Sequence, residues 1–170
     1  MMQKDQRTKS RAIVALLPLI FYVASARADI LIGVSVPLTG AQAPVGQQIL
    51  KGTQLAVEDI NATGGVNGEK ILVTSGDDFA DPKQGSLVAK KFVSDGVRFV
   101  IGPATSNVCL ETSEIYQEKN ILTITPSAIN PKVTERGLWN VFRVAGRDDD
   151  QAAVAAGYLK DHFDNKKIAF

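Results

Sequence analysis

The chain has 170 residues, 45% of them hydrophobic and 22% charged, with a formal net charge of +1. That composition suits one packed core, and nothing in it suggests disorder or a repeat array. Cys109 is the only cysteine, which excludes an internal disulfide and leaves stability to packing.

The first residues, MMQKDQRTKSR, are polar and basic, Ala12 to Ala24 is an apolar run, and Ala26-Arg27-Ala28 supplies an A-x-A site before Asp29. Residues 1–28 therefore read as a secretory signal peptide. The apolar run is shorter than the roughly 20 residues a bilayer span needs, and Pro18 interrupts it. Without residues 1–28 the chain loses five basic residues and one acid, leaving 14 basic against 17 acidic, a charge of −3. No basic stripe remains to suggest nucleic acid, and no further apolar stretch is long enough to span a membrane.

From Asp29 onward, Ile30 to Val36 is a nearly continuous apolar run of strand length, as expected for a strand buried on both faces. Ile49, Gly52, Thr53, Ala56 and Ile60 then recur at helical spacing, which predicts a helix from Gln47 to Ala62. Gly64-Gly65 ends it, Asn67-Gly68 makes a tight turn, and Ile71-Leu72-Val73 opens a second strand. Asp81-Pro82 reads as an N-cap followed by proline in the first turn, starting a helix to Ser94. Val97 to Ile101, Val108 to Lys119 and Ile121 to Thr125 follow as strand, helix and strand. Asp148-Asp149-Asp150 opens a last helix over Ala152 to Phe163, where the acids suit the helix dipole.

Strands alternating with helices of this length predict an α/β fold with a doubly wound parallel sheet covered on both faces. In such a sheet the second strand lies on one side of the first, with the third and fourth on the other. The switch point then falls between strands one and three. Loops around Thr39 and Ser106 would flank a crevice there, with Ile124-Thr125-Pro126-Ser127-Ala128-Ile129-Asn130-Pro131 leaving the next strand. The loop before the third helix offers backbone N–H groups and the hydroxyls of Thr105 and Ser106, a set suited to a carboxylate or another anion. The same hydroxyls equally suit plain helix capping.

Other motifs point nowhere. GGVNGEK precedes a strand, so it is a turn and not a phosphate loop. Asp77, Asp78 and Asp81 match no calcium spacing and read as a solvated strand end with one capping residue. His162 has no second metal-binding neighbour, and no G-x-S-x-G is present. The expectation is no catalytic residue, no metal site and no cofactor.

Three stretches resemble one family when taken together: IGVSVPLTGAQAPVGQQILKGTQLAVEDINATGGVNGEKI, DDFADPKQGSLVAKKFVSDGVRFVIGPATSN and SEIYQEKNILTITPSAINPKVTERG. They are similar to the start of the leucine/isoleucine/valine-binding proteins of ABC transporters, which are type I periplasmic binding proteins. The resemblance implies two α/β lobes that close on an amino acid and present it to a membrane permease from the periplasm. It implies lobe 1 over residues 29–145. Residues 146–170 would be the first crossover and the start of a second lobe, with the chain truncated there and binding weak. It also implies that Ser106 holds the ligand α-carboxylate, and that Ser127, Ala128 and Ile129 supply a carbonyl to the ammonium and an N–H to the carboxylate. Val45 would face the ligand side chain. Ile129 and Val45 stand where branched-chain binders typically have Thr and can have an aromatic. Relatives for amides, urea or aromatic acids share the lobe, and a sensory or regulatory domain on the same scaffold is the rival reading.

Overall fold

A computed structural model describes residues 29–163 together with Lys167. The predicted signal peptide, and residues 164–166 and 168–170 of the implied start of a second lobe, lie outside the described residues. Five strands and five helices run β1 (Ile30–Val36), α1 (Ala43–Ala62), β2 (Ile71–Asp77), α2 (Pro82–Ser94), β3 (Phe99–Ile101), α3 (Ser106–Glu118), β4 (Leu122–Thr125), α4 (Lys132–Glu135), β5 (Val141–Arg143) and α5 (Asp148–His162).

The sheet is wholly parallel in the order β2-β1-β3-β4-β5, so the expected switch point between β1 and β3 is present. α1 begins four residues before its expected start, because Pro44 pre-sets the first turn although Ala43-Pro44-Val45 carries no amphipathic signal. α4 and β5 lack any sequence expectation: four and three residues are too short to show a period. Asn67 and Gly68 both have positive φ, and Val66 pairs with Glu69 around them, which is the expected tight turn.

Alternation along the strands sorts the core into two sides. On one side, Val100 packs with Ala89 and Phe92 of α2 and with Tyr116 of α3, and a second cluster joins Cys109, Ala128, Val133 and Val141. On the other side, Val34 and Val36 pack with Ile49 and Leu50 of α1. Coverage differs from the expectation of two fully covered faces. α1 lies over β1 and β2, whereas Phe99 of β3 and Phe142 of β5, on the same side by register, are 43% and 49% exposed. α5 buries none of its residues.

Pro37 to Gln42, the segment between β1 and α1, is held without clearance. A Cβ on Gly46 would sit 1.9 Å from the Pro37 carbonyl oxygen, while one on Gly52, a turn and a half along the same helix, meets nothing within 4 Å. Gly46→Ala should therefore lower the urea midpoint, at a cost above about 2 kcal/mol because backbone must move. Gly52→Ala should raise stability by roughly 0.5–1 kcal/mol through helix propensity. Equal effects of the two substitutions would refute the packing account.

Candidate functional site

The loops leaving β1, β3 and β4 converge at the carboxyl edge of the sheet, and glycine makes the closest approach. Gly102 has φ +110°, and a Cβ there would lie 2.0 Å from the Ser35 carbonyl oxygen of β1. A side chain would push the exit of β3 away from the switch point.

The β3 and β4 loops are then sewn together by side chains. The Thr125 hydroxyl donates to the Pro103 carbonyl at 2.7 Å and accepts from the Ala128 N–H at 3.1 Å. Ser127 Oγ donates to the Ala104 carbonyl at 2.7 Å, and the Asn130 N–H donates to Ser106 Oγ at 3.2 Å. Hydrogen bonds of this kind each contribute about 1 kcal/mol, and the two made by Thr125, which are buried, cost more when broken singly. Arg143 of β5 braces the loop from behind, donating to the Ile129 carbonyl at 3.3 Å and the Asn130 carbonyl at 2.9 Å.

Ser106 is the first residue of α3. Thr105 occupies the N-cap with extended backbone, yet its side chain makes no capping bond, and its buried Oγ1 has no partner among the described residues. The Ser106 hydroxyl accepts from the Asn130 N–H and caps nothing. No acidic residue sits in the first turn. The N–H groups of that turn therefore carry the positive end of the helix dipole without a side-chain cap or a carboxylate to offset it. α2 shows the contrast: Asp81 Oδ1 accepts from the Gln84 N–H at 2.9 Å, an ordinary cap as expected.

The structure brings Ser106 and the Ser127–Ile129 stretch together, but gives the members different surroundings. Ala128 is 1% exposed, its methyl lies in the core with Cys109 and Val133, and its N–H is taken by Thr125. Ile129 is 39% exposed, while its carbonyl also accepts from the Asp148 N–H at 3.2 Å. Val45, on the first turn of α1, is 42% exposed at the same edge of the sheet. Thr125 and Arg143 went unnoticed in the sequence. Only a polar residue ending an apolar strand hinted at the first.

The reading of Asp77 and Asp78 as a solvated strand end is corrected. Asp78 is fully buried, accepting from Ser35 Oγ at 3.1 Å and from the Ala80 N–H at 3.0 Å. Burial raises its pKa despite those two bonds, and the neighbouring Asp77 charge adds to the rise. Asp77 Oδ1 accepts from the N–H groups of Leu38 at 2.8 Å and Phe79 at 3.1 Å, and its Oδ2 accepts from Thr39 Oγ1 at 2.6 Å. Partial burial works to raise its pKa, but the donors from Thr39, Leu38 and Phe79 together outweigh it and the net shift is downward. Among the described residues neither carboxylate pairs with a cation, and no cluster of three or more metal-ligating side chains occurs. No described helix is long and apolar enough to cross a membrane.

A parallel doubly wound sheet whose β1, β3 and β4 loops gather beside its switch point is the α/β arrangement in which small ligands generally bind at the carboxyl edge of the strands. The sequence matches the periplasmic binding protein family over residues 29–170, and the chain belongs to that family. It is 53% identical over 156 residues to Leu/Ile/Val-binding protein homolog 1 of Brucella abortus, covering 92% of this chain and 42% of that protein. To the Leu/Ile/Val-binding protein BraC3 of Rhizobium johnstonii it is 49% identical over 144 residues, covering 85% and 39%. Among solved structures, the branched-chain amino acid transporter substrate-binding protein LivJ of Streptococcus pneumoniae, in complex with isoleucine, superposes with a TM-score of 0.75. Identity there is 30%, over 79% of this chain and 38% of LivJ. The chain thus spans less than half the length of the curated relatives it matches.

The buried Asp78 gives a pH signature. Because its folded-state pKa is raised, the folded protein holds the proton more tightly than the unfolded chain, so this group favours folding more as pH falls towards the ordinary value of 3.8. Asp78→Asn imitates the protonated form. It should raise the urea midpoint at pH 7, with the gain shrinking as pH falls towards 4. A lower midpoint at pH 7 would show that the carboxylate itself is required.

Proposed function

We propose that this chain carries the carboxylate-binding lobe of a solute-binding component for uptake of branched-chain or related amino acids. In this reading the protein works in the periplasm, delivers its cargo to the membrane permease of an ABC transporter, and performs no catalysis. The observation that carries the reading is the uncapped first turn of α3, free of acidic residues, with Ser106 fixed against the β4 loop.

An amino acid is a zwitterion, and its two charges need opposite ends of local dipoles. The first-turn N–H groups of α3 and the Ser106 hydroxyl face the α-carboxylate; a hydrogen-bonded hydroxyl can still donate outward while accepting from Asn130. The Ser127 carbonyl faces the ammonium, since the Ile129 carbonyl is already engaged by Arg143 and Asp148. Ile129 and Val45 offer apolar surface to the ligand side chain. Ala128 acts from below, seating the loop on the core. The names of the relatives, and the isoleucine in the LivJ complex, support an aliphatic amino acid over the other solutes this fold accommodates.

L-Leucine titrated into the isotopically labelled chain should shift the amide resonances of Ser106 to Val108 and of Ser127 to Ile129, with saturation weaker than micromolar. Ser106→Ala should weaken that binding by about 1.5–3 kcal/mol, the scale of a hydrogen bond to a charged group. Shifts confined to other surfaces, or none at all, would overturn the assignment.

A further inference from the structure

We infer that Asp77 is a positioning residue for the ligand site, fixing the segment between β1 and α1 and with it the side-chain wall that Val45 provides. The inference rests on the ligand-site reading above and names a residue that has no direct contact role in it.

The chain of contacts is short. Asp77 ends β2, on the far side of β1 from β3, yet its carboxylate bonds to loop atoms at the carboxyl edge. One carboxylate oxygen takes the Leu38 N–H and the other takes the Thr39 hydroxyl. Leu38 passes the restraint on, since its carbonyl accepts from Gln47 Nε2 at 3.4 Å and its side chain packs against the Val34 and Val36 cluster. Pro37 abuts Gly46 with no room for a Cβ, and the N–H groups of Val45 and Gly46 both bond to the Gln42 carbonyl. Val45 therefore sits on a turn whose two sides are tied to the segment Asp77 grips.

The same carboxylate stabilises an unusual backbone. Phe79 and Ala80 follow it with φ +54° and +55°, a left-handed pair without glycine. Their N–H groups are taken by Asp77 and Asp78 respectively. Two consecutive residues in this region are strained, and persist only where the surroundings impose them. Asp81 closes the turn, its N–H donating to the Asp78 carbonyl at 2.8 Å, and the buried Tyr116 of α3 feels Asp78, its phenol pKa raised by burial first and by the Asp78 charge next.

A carboxylate is not chemically required for the grip. In Asp77→Asn the amide oxygen can accept from both N–H groups while the NH2 donates to Thr39 Oγ1, so asparagine rescues and alanine does not. The test compares these variants of the full chain by amide hydrogen exchange and by titration with L-leucine and L-alanine. Asp77→Ala should speed exchange at Leu38 and Phe79 by about tenfold or more, leaving Val100 in the core unchanged. It should also reduce the ratio of leucine to alanine affinity by about fivefold, the scale of one lost hydrogen bond. Asp77→Asn should restore both, whereas Ser106→Ala should weaken both amino acids equally and leave the ratio alone. If Asp77→Ala does not fold, Thr39→Val removes one of the contacts and should produce the same changes in smaller measure. Unchanged exchange at Leu38, or an unchanged affinity ratio in a variant that has lost protection there, overturns the inference. Should the parent bind neither amino acid, the functional reading fails, and exchange at Leu38 alone decides whether Asp77 grips the segment.

Discussion

β1 pairs on both of its edges, over seven residues with β2 and over three with β3. Everything at the carboxyl edge depends on that double pairing. With β2 on one edge of β1 and β3 on the other, the connection from β1 runs to one side of the sheet and that from β3 to the other, so the exits of β1 and β3 part company. Gly102 tightens the arrangement by letting the β3 exit run against Ser35, where any Cβ would collide. The space between the loops is a by-product of parallel pairing, and the residues lining it could diversify without disturbing the sheet.

What stiffens that edge is mostly hydroxyl chemistry. Thr125, Ser127, Ser106 and Thr39 each bridge two segments that are far apart in sequence. Short side chains lose little rotamer entropy when fixed, which makes them economical cross-braces. Longer groups are kept for the periphery: Arg143 reaches around from β5, and Arg147 ties Glu135 to the first turn of α5. Where the β3 and β4 loops meet, the braces from Thr125, Ser127 and Ser106 are neutral, and no acidic residue in the first turn of α3 offsets the dipole of that helix.

Much of this was legible in the sequence, for identifiable reasons. The strand runs of β1 and β2, the Asp81 cap with Pro82, and the Asn67-Gly68 turn are signalled by chemistry within a few residues, and the sheet order followed from the rules of parallel winding. α4 and β5 escaped because their existence is enforced by partners, Val133 and Val141 packing on Cys109 and Ala128, and by no local period. Asp77 and Asp78 were misjudged for a related reason. Adjacent carboxylates look solvated in one dimension, and only the fold reveals that Ser35, Leu38 and Thr39, some forty residues earlier, stand waiting with donors. At the candidate site, Ser106 was marked by its place before a helix, while the commitment of the Ala128 N–H to Thr125 depends on a loop conformation that no pattern encodes.

Cys109 has a further consequence. Its thiol lies in the cluster that joins α3 to α4 and β5, and burial pushes its pKa up to about 11, against a smaller opposing pull from Arg136 and Arg143. Closed molecules are thus inert to alkylating reagents, for want of both access and thiolate. Reaction requires that the cluster of α3, α4 and β5 open, so the chain carries an intrinsic counter of opening events beside the candidate site. Where reclosing is fast, the labelling rate divided by that of the unfolded chain gives the opening equilibrium, with no reporter added to the protein.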